Sequence, residues 1–214
     1  MKTNDHIQDF TLPKWLKWAR EIQAISQTGL HYAENPYQKQ RFSRLSEISA
    51  EIISEYAGVK VGDLNDIFTR QIGYATPRID VRGAVFQADN LLLVREILDG
   101  GWTMPGGWVD VGDTPSGAVE REVFEESGFE VKARKVIGVY DANRTGPLEI
   151  FHAFKIVFLC DIVSGEPHTS DETSEVAFFS RSKLPTSLSG ERTRPRHLDD
   201  AFNAHSKELP SIFD

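Results

Sequence analysis

The chain has 214 residues, with 24 Lys or Arg against 32 Asp or Glu, and a formal net charge of −8. This acidic balance disfavours charge-driven binding of long nucleic acid, because phosphate backbones select basic surfaces. The single cysteine, Cys160, excludes a disulfide framework and a four-cysteine zinc site. No stretch reads as a membrane span or a signal peptide, so we expect a cytoplasmic protein without a membrane partner.

The first 75 residues are predicted to be helical. The first apolar stripe has helical spacing and ends at Gly29; its members are Trp15, Trp18, Ala19, Ile22 and Ile25. A second stripe follows the cap-and-proline pair Asn35-Pro36 and ends at Gly58; it comprises Phe42, Leu45, Ile48, Ile52 and Tyr56. A shorter helix is predicted from Asp63, with inward residues Leu64, Ile67, Phe68 and Ile72. Helices joined by short loops should form an antiparallel hairpin, which predicts a helical domain over residues 1–75.

Beyond residue 75 the pattern becomes that of strands. Alternation begins at Ile79 and continues to Phe86, and the pair Asp89-Asn90 predicts a turn before a returning strand. The further strands are predicted at 91–97, 131–139, 151–160 and 176–179, and a last helix at 198–205. The predicted fold class is α+β, with a mixed sheet and a helix packed on one face.

A glycine loop followed by a short helix lies between these strands. The loop, Met104 to Gly107, allows close backbone approach because glycine has no Cβ. Thr114 is a candidate N-cap, Pro115 suits the first helical position, and Gly128 can end the helix in a left-handed conformation. We therefore expect a helix over roughly residues 115–127.

Three carboxylates crowd one face of this predicted helix. Glu122, Glu125 and Glu126 stand at helical positions i, i+3 and i+4, where like charges repel by a few tenths of a kcal/mol. A hard divalent cation would turn that repulsion into a binding site, since such ions take oxygen ligands. These three residues, called here the box carboxylates, are the predicted metal ligands.

The segment from Gly107 to Phe129 resembles the Nudix box, the signature of enzymes that hydrolyse a nucleoside diphosphate linked to another moiety. Gly107, Arg121-Glu122, Glu125-Glu126 and Gly128 all stand at the spacing of that pattern. Asp113 is the one departure, because the family usually has Glu there. The resemblance implies an α/β/α sandwich over residues 76–214. It also implies a Mg²⁺ or Mn²⁺ cofactor held by the box carboxylates, with the Gly106 carbonyl as a further ligand.

The front of the chain is also similar to one Nudix subgroup. The run Trp15-Leu16-Lys17-Trp18-Ala19, the segment from Gly73 to Arg82 and the segment from Pro105 to Gly112 resemble CDP-choline, ADP-ribose and UDP-sugar pyrophosphatases. Such enzymes cut a nucleoside diphosphate-X into a nucleoside monophosphate and X-phosphate. The resemblance implies a small nucleotide substrate and a homodimer in which the front hairpin serves oligomerisation or closes the site.

The other site residues have more than one interpretation. Arg121 either contacts substrate phosphate or pairs with a box carboxylate and holds it in place. The general base is Glu126 itself or lies in the acidic loop before the strand at 176, where Glu172 and Glu175 stand. Gly107 and Asp113 would support the loop. The candidate substrate-binding residues are Trp108, which is placed to shape a pocket beside the glycine loop, and Arg78, Arg144 and Lys155, each of which could instead form a surface ion pair.

Two other functions remain open at this point. One is a Nudix enzyme that hydrolyses nucleoside triphosphates or RNA 5′ or 3′ ends. The other is a non-catalytic nucleotide sensor, a class whose boxes are usually degraded and accompanied by a DNA-binding module. The nearly intact box and the balanced charge of residues 1–60, with eight basic and seven acidic residues, disfavour the sensor.

Overall fold

A computed structural model describes residues 13–58, 60–69, 71–142, 152–190 and 192–214. Arg144 and Phe151 lie outside these ranges. The chain divides into two compact units, one formed by residues 1–77 with 148–152 and the other by residues 78–147 with 153–214. In the described residues no helix combines the length and apolar character needed to cross a membrane.

The first unit is helical, as predicted. Its helices are α1 (Lys14–Tyr32), α2 (Pro36–Ala57) and α3 (Val61–Thr69). Asn35 caps α2, because its side chain accepts from the Gln38 N–H over 2.9 Å, and Gly58 ends α2 with φ 71°. The buried apolar core of this unit consists of Ala19, Ala50, Ile53, Leu64 and Phe68.

The predicted inward stripe of α1 is wrong in part. Trp18 is 59% exposed and Ile25 is 52% exposed. The buried positions of the helix are Leu16, Ala19, Gln23, Ser26 and Gln27. Large apolar side chains were expected inward, whereas the buried positions other than Leu16 hold small and amide side chains, because α1 and α2 approach closely. Tyr56 of α2 is also exposed and stacks on Trp15 at 5.0 Å between ring centroids.

The end predicted for α1 is also wrong, because the helix passes through Gly29 and continues to Tyr32. A Cβ at Gly29 would lie 2.3 Å from Phe42 Cε1. This glycine therefore permits close helix packing and does not end the helix. Ile72, predicted to face inward, lies beyond the end of α3 and is 88% exposed.

The second unit is built on a mixed sheet. Its strands are β1 (Arg78–Gln87), β2 (Asn90–Glu96), β3 (Trp102–Thr103), β4 (Phe129–Asp141), β5 (Ala153–Gly165), β6 (Thr173–Ser180) and β7 (Ile212–Phe213). The strand order is β3-β2-β1-β5-β4-β7, with β6 paired to β2. β1 runs parallel to β5 and β4 parallel to β7, whereas the remaining pairs are antiparallel.

Helices α4 (Pro115–Ser127) and α5 (Pro195–Ser206) belong to two separate buried clusters. Val119 and Val123 of α4 pack with Val81 in one cluster. Leu198 of α5 packs with Ala84 in the other. Because side chains alternate along a strand, the two clusters lie on opposite faces of β1. The predicted α+β fold and the implied α/β/α sandwich are confirmed.

Most predicted strands exist, with extended ends. β5 begins at Ala153 and runs to Gly165, five residues past the predicted end, and β4 begins at Phe129. The two-residue strands β3 and β7 were not predicted, because two residues are too short to display alternation.

Candidate active site

The glycine loop lies along strand β1. Val81 N–H donates to the Gly107 carbonyl and Gly83 N–H to the Pro105 carbonyl, both over 2.8 Å. Gly106 has φ 146°, and a Cβ there would lie 2.0 Å from the Val81 carbonyl oxygen. Only glycine fits at this position, so the loop backbone is held against the sheet.

Helix α4 has the predicted ends. The Thr114 hydroxyl accepts from the Gly117 N–H over 3.1 Å, and Gly128 adopts φ 79°. The helix packs closely on the sheet, since a Cβ at Gly83 would lie 2.5 Å from Val123 Cγ2. Its final turns are thereby held beside the glycine loop, where a Cβ at Gly107 would lie only 2.7 Å from Glu122 Oε2.

Glu126 is the most buried of the box carboxylates, at 6% exposure. Its Oε2 accepts from the Gly106 N–H over 2.9 Å. Burial raises the pKa of Glu126 to about 7, although Arg82 and the Gly106 N–H act in the opposite direction. A carboxylate with a pKa near neutrality can take up or release a proton at physiological pH, which is the property required of a general base.

Arg121 holds the other carboxylates together. Its Nη1 lies 2.9 Å from Glu122 Oε1 and 3.0 Å from Glu125 Oε2, and its Nη2 lies 3.2 Å from Asp113 Oδ2. Burial raises the pKa of Glu122, while Arg121 opposes that shift. Asp113 is long enough to reach Arg121 despite being one methylene shorter than the usual Glu. In this arrangement Arg121 is a clamp on the box.

The chemistry of the donors fits a hard divalent cation. The candidate ligands are carboxylates and a backbone carbonyl, and the Gly106 carbonyl accepts no hydrogen bond from any described residue. Across the described ranges, however, no three His, Cys, Asp or Glu side chains are already grouped as metal ligands. The reason is local, since Arg121 occupies the position between Glu122 and Glu125 and Glu126 turns toward the Gly106 N–H.

Glu96 joins this centre and was not predicted. It is 3% exposed at the end of β2, and burial raises its pKa. Its charge acts on Glu126 and on Arg82. Arg192 Nε forms an ion pair with Glu96 Oε1 at 3.0 Å, although the two groups are not aligned for a hydrogen bond. The sequence offered one signal for this residue, because an acid stands two positions after the apolar run Leu91 to Val94.

The two candidate bases outside the box differ in their surroundings. Glu175 is committed to an exposed ion pair with Arg95 at 2.6 Å. Glu172 is exposed and its backbone carbonyl accepts from the Ile97 N–H. Its charge contributes to the raised pKa of Glu96. Of the two, Glu172 is the one whose charge reaches this buried acidic centre.

Lys155 is placed differently from the expectation. It is 4% exposed on β5 and forms an ion pair with Asp80 of β1, which also pairs with Arg82 at 2.8 Å. Burial opposes ionisation of Asp80, but Arg82 and Lys155 hold its pKa below the ordinary value. The ion pair of Lys155 is therefore buried, whereas a surface ion pair or a side chain in contact with substrate was expected. The parallel register that aligns Asp80 with Lys155 explains the pairing.

Arg78 and Trp108 are brought together at the surface. The Arg78 guanidinium lies 6.0 Å from the centroid of the Trp108 ring, and Trp108 is 47% exposed. They remain candidates for contact with substrate. Trp102, which also flanks the glycine loop, packs edge-to-face on Phe179 at 4.8 Å and is partly buried against the core. Arg144, the fourth predicted substrate-binding residue, lies outside the described residues.

Comparison with known families and proteins agrees with this geometry. A NUDIX domain model matches residues 76–201, and a model described as a UDP-X-like, N-terminal oligomerisation domain matches residues 13–68. The chain is 36% identical over 203 residues to YjhB of Bacillus subtilis, whose name proposes ADP-ribose pyrophosphatase activity; the match covers 94% of this chain and 97% of YjhB.

Two solved structures are similar as well. An ADP-ribose pyrophosphatase from Streptococcus suis superposes with a TM-score of 0.60 at 36% identity, covering 65% of this chain and all of that one. A UDP-X diphosphatase superposes with a TM-score of 0.62 at 26% identity, covering 94% of this chain and 98% of that one.

Proposed function

The chain belongs to the Nudix family and is a Nudix hydrolase acting on phosphoanhydride bonds, and from this premise we propose that it is a divalent-metal-dependent pyrophosphohydrolase of nucleoside diphosphate-X compounds. ADP-ribose is the first substrate we propose, and UDP-sugars and CDP-choline are next. The products would be a nucleoside monophosphate and X-phosphate.

One observation carries this proposal. Helix α4 sets the box carboxylates beside a glycine loop that is fixed on β1, with Glu126 buried against the Gly106 N–H. A buried carboxylate held by a backbone N–H, beside two carboxylates that Arg121 orients, supplies anionic oxygens suited to a divalent cation. This arrangement suits attack by water on an anionic phosphorus centre.

Each of these residues has a defined role in the proposed reaction. When bound, Mg²⁺ or Mn²⁺ would neutralise phosphate oxygens and lower the pKa of water; Glu122, Glu125, Glu126 and the Gly106 carbonyl would hold it. Glu126 Oε1, the oxygen not bonded to Gly106, is the proposed acceptor of the proton from the attacking water. A new phosphorus–oxygen bond forms as the bridging phosphorus–oxygen bond breaks, and the leaving phosphate departs with the electron pair. Arg121 keeps Glu122 and Glu125 oriented through its two short ion pairs.

The order of substrates rests on the relatives. YjhB and the Streptococcus suis structure, each 36% identical to this chain, both carry ADP-ribose pyrophosphatase in their names. The UDP-X diphosphatase matches at lower identity over nearly the full chain, which supports UDP-sugars as the second choice. The N-terminal match to an oligomerisation domain supports a homodimer, and exposed Trp18 and Ile25 on α1 offer an apolar surface for it.

The test is product identification. The purified protein would be incubated with ADP-ribose, UDP-glucose, CDP-choline, a nucleoside triphosphate and 5′-triphosphate RNA, with Mg²⁺, with Mn²⁺ or with EDTA. We expect AMP and ribose 5-phosphate from ADP-ribose, and no turnover in EDTA or in Glu122→Gln. Cleavage of the triphosphate or RNA alone would overturn the substrate class. Full turnover in EDTA would overturn the metal dependence, and a monomer in size-exclusion chromatography with light scattering would overturn the dimer.

A further inference from the structure

The helical unit contains a cleft to which no role is assigned. It has a volume of about 610 Å³, within the range of small-molecule sites. Residues of α1, α2, α3 and the segment 71–73 line it. All of these residues belong to the first unit, so the cleft is a feature of the helical unit itself.

Gln23 lies in the wall of this cleft, with an amide oxygen that is open to the cleft. The residue is 8% exposed, and its Nε2 donates to Gln27 Oε1 over 2.9 Å. Gln27 Nε2 in turn donates to the Gly73 carbonyl over 3.2 Å. Gln23 Oε1 accepts from no described residue. An amide at a buried helix position, where an aliphatic side chain would pack, is unfavourable unless its hydrogen-bonding capacity is used.

Further uncommitted polar groups line the same cleft. Their side chains have no hydrogen-bond partner within the described part of the chain; they belong to Ser43, Ser46, Asn65 and Gln71. Buried Phe68 and half-buried Leu30 supply an apolar wall. Amide and hydroxyl groups beside an apolar wall complement a flat ring whose edge carries adjacent donors and acceptors, as Asn and Gln do when they pair with adenine.

The charges of the side chains that line the cleft indicate which class of ligand it can bind. None of its described members is Lys or Arg, and His31 is the one basic side chain among them, so the cleft has no permanently charged donor for phosphate. Its one carboxylate, Glu47, pairs with Arg44 at 3.0 Å. The lining therefore selects a neutral ligand over an anionic one.

We propose that this cleft is a binding site for a neutral nucleoside, with Gln23 and Asn65 reading the edge of the base and Ser43 and Ser46 binding the ribose hydroxyls. The site goes beyond the proposed hydrolysis. Nucleosides contain no phosphoanhydride, so its test neither requires nor reports catalysis.

The experiment is calorimetric titration of the full-length protein with adenosine, cytidine and uridine in turn. We expect at least one to bind with a Kd of about 1 mM or below. Gln23→Leu should weaken that binding about tenfold, because the acceptor that faces the cleft is lost. The matched control is Gln40→Leu, at an exposed position of α2, which should leave the Kd unchanged.

Two further arms make the result decisive. Ser43→Ala, at an exposed position where folding is not at risk, should weaken binding several-fold, and inorganic pyrophosphate should not compete. The proposal is overturned if none of the three nucleosides binds. It is also overturned if binding is the same in Gln23→Leu and Ser43→Ala as in the parent, or if pyrophosphate displaces the nucleoside.

Discussion

The Gly106 N–H donates to Glu126 Oε2 over 2.9 Å, and this hydrogen bond joins the glycine loop to the last turn of α4. Each side of this bond is fixed independently. The loop is bonded to β1 at both Pro105 and Gly107, and α4 packs on the same strand through Val123. The position of Glu126 is therefore set by the sheet and is independent of the exposed carboxylates.

Glu126→Gln should abolish most turnover without unfolding the protein. The amide can still accept from the Gly106 N–H but no longer takes up a proton, so we expect a loss of about 10²–10⁴-fold. Stability should change little. The pKa of the buried Glu126 carboxyl already lies near 7, so this group is partly neutral in the folded protein and a neutral amide replaces it with little change in charge. Turnover of ADP-ribose and thermal unfolding would both be measured.

Glu125→Gln and Glu172→Gln are the matched controls for this variant. Glu125 has a 55% exposed side chain and should give a smaller loss than Glu126. Glu172 should also give a smaller loss if Glu126 is the base. Near parental turnover in Glu126→Gln, together with a large loss in Glu172→Gln, would move the base to the acidic loop.

Gly107→Ala should weaken metal binding more than it weakens the fold. The new Cβ would lie 2.7 Å from Glu122 Oε2, the far end of a flexible side chain, so the carboxylate moves and the backbone does not. We expect Mn²⁺ affinity, measured by calorimetry, to fall at least about tenfold while the melting temperature changes little. Gly190→Ala is the control, since nothing lies within 4 Å of its Cβ. Parental Mn²⁺ affinity in Gly107→Ala would count against Glu122 as a ligand.

The local parts of the site could be read from sequence. Thr114, Pro115 and Gly128 define α4 through short-range capping chemistry, and the spacing of the box carboxylates fixes their common face. Such features depend on residues only a few positions apart. The same holds for Asn35 and Gly58, which bound α2 as predicted.

The contacts made across the sheet could not be read in this way. Lys155 looked like a surface cation, but the parallel register of β1 and β5 places it against Asp80, 75 positions away in the sequence. Glu96 enters the acidic centre because Arg192 pairs with it at the end of β2 and its charge acts on Glu126 of α4. No periodicity in a single strand encodes which strand lies next to it.

His197 should make the protein less stable in acid. It is 2% exposed, and burial, with Lys155 and Arg194 adding to it, lowers its pKa to about 3. The folded state keeps the ring neutral, whereas the unfolded chain takes up a proton below about pH 6.5. The stability that His197 contributes is therefore present above pH 6.5 and is lost as the pH falls toward 3, by at most about 1.4 kcal/mol per pH unit.

His197→Asn tests this dependence, because Asn keeps an acceptor for the Arg194 N–H that now donates to Nδ1. Urea unfolding at pH 7, 6, 5 and 4 should show a free energy that falls less steeply than in the parent. His31→Asn, at an exposed position of α1, is the matched control for the substitution itself. Equal slopes in the parent and His197→Asn would show that the buried ring does not titrate with unfolding.

Gly29→Ala should destabilise the helical unit, although alanine is the better helix former. Helix propensity alone favours alanine by about 1 kcal/mol, but the new Cβ would lie within 2.5 Å of three ring atoms of Phe42. Overpacking of this kind costs about 1–3 kcal/mol, so the net change should be destabilising. The free energy of unfolding of the full chain would be measured for the parent and for Gly29→Ala.

A double-mutant cycle with Phe42→Ala separates the two effects. Without the ring the clash is gone, so Gly29→Ala should become stabilising in the Phe42→Ala background, and the sign reversal measures the contact between α1 and α2. Gly62→Ala in α3 is the control, because nothing lies within 4 Å of its Cβ, and it should be neutral or slightly stabilising. If Gly29→Ala stabilised the protein in both backgrounds, the close approach of α1 and α2 at this glycine would be refuted.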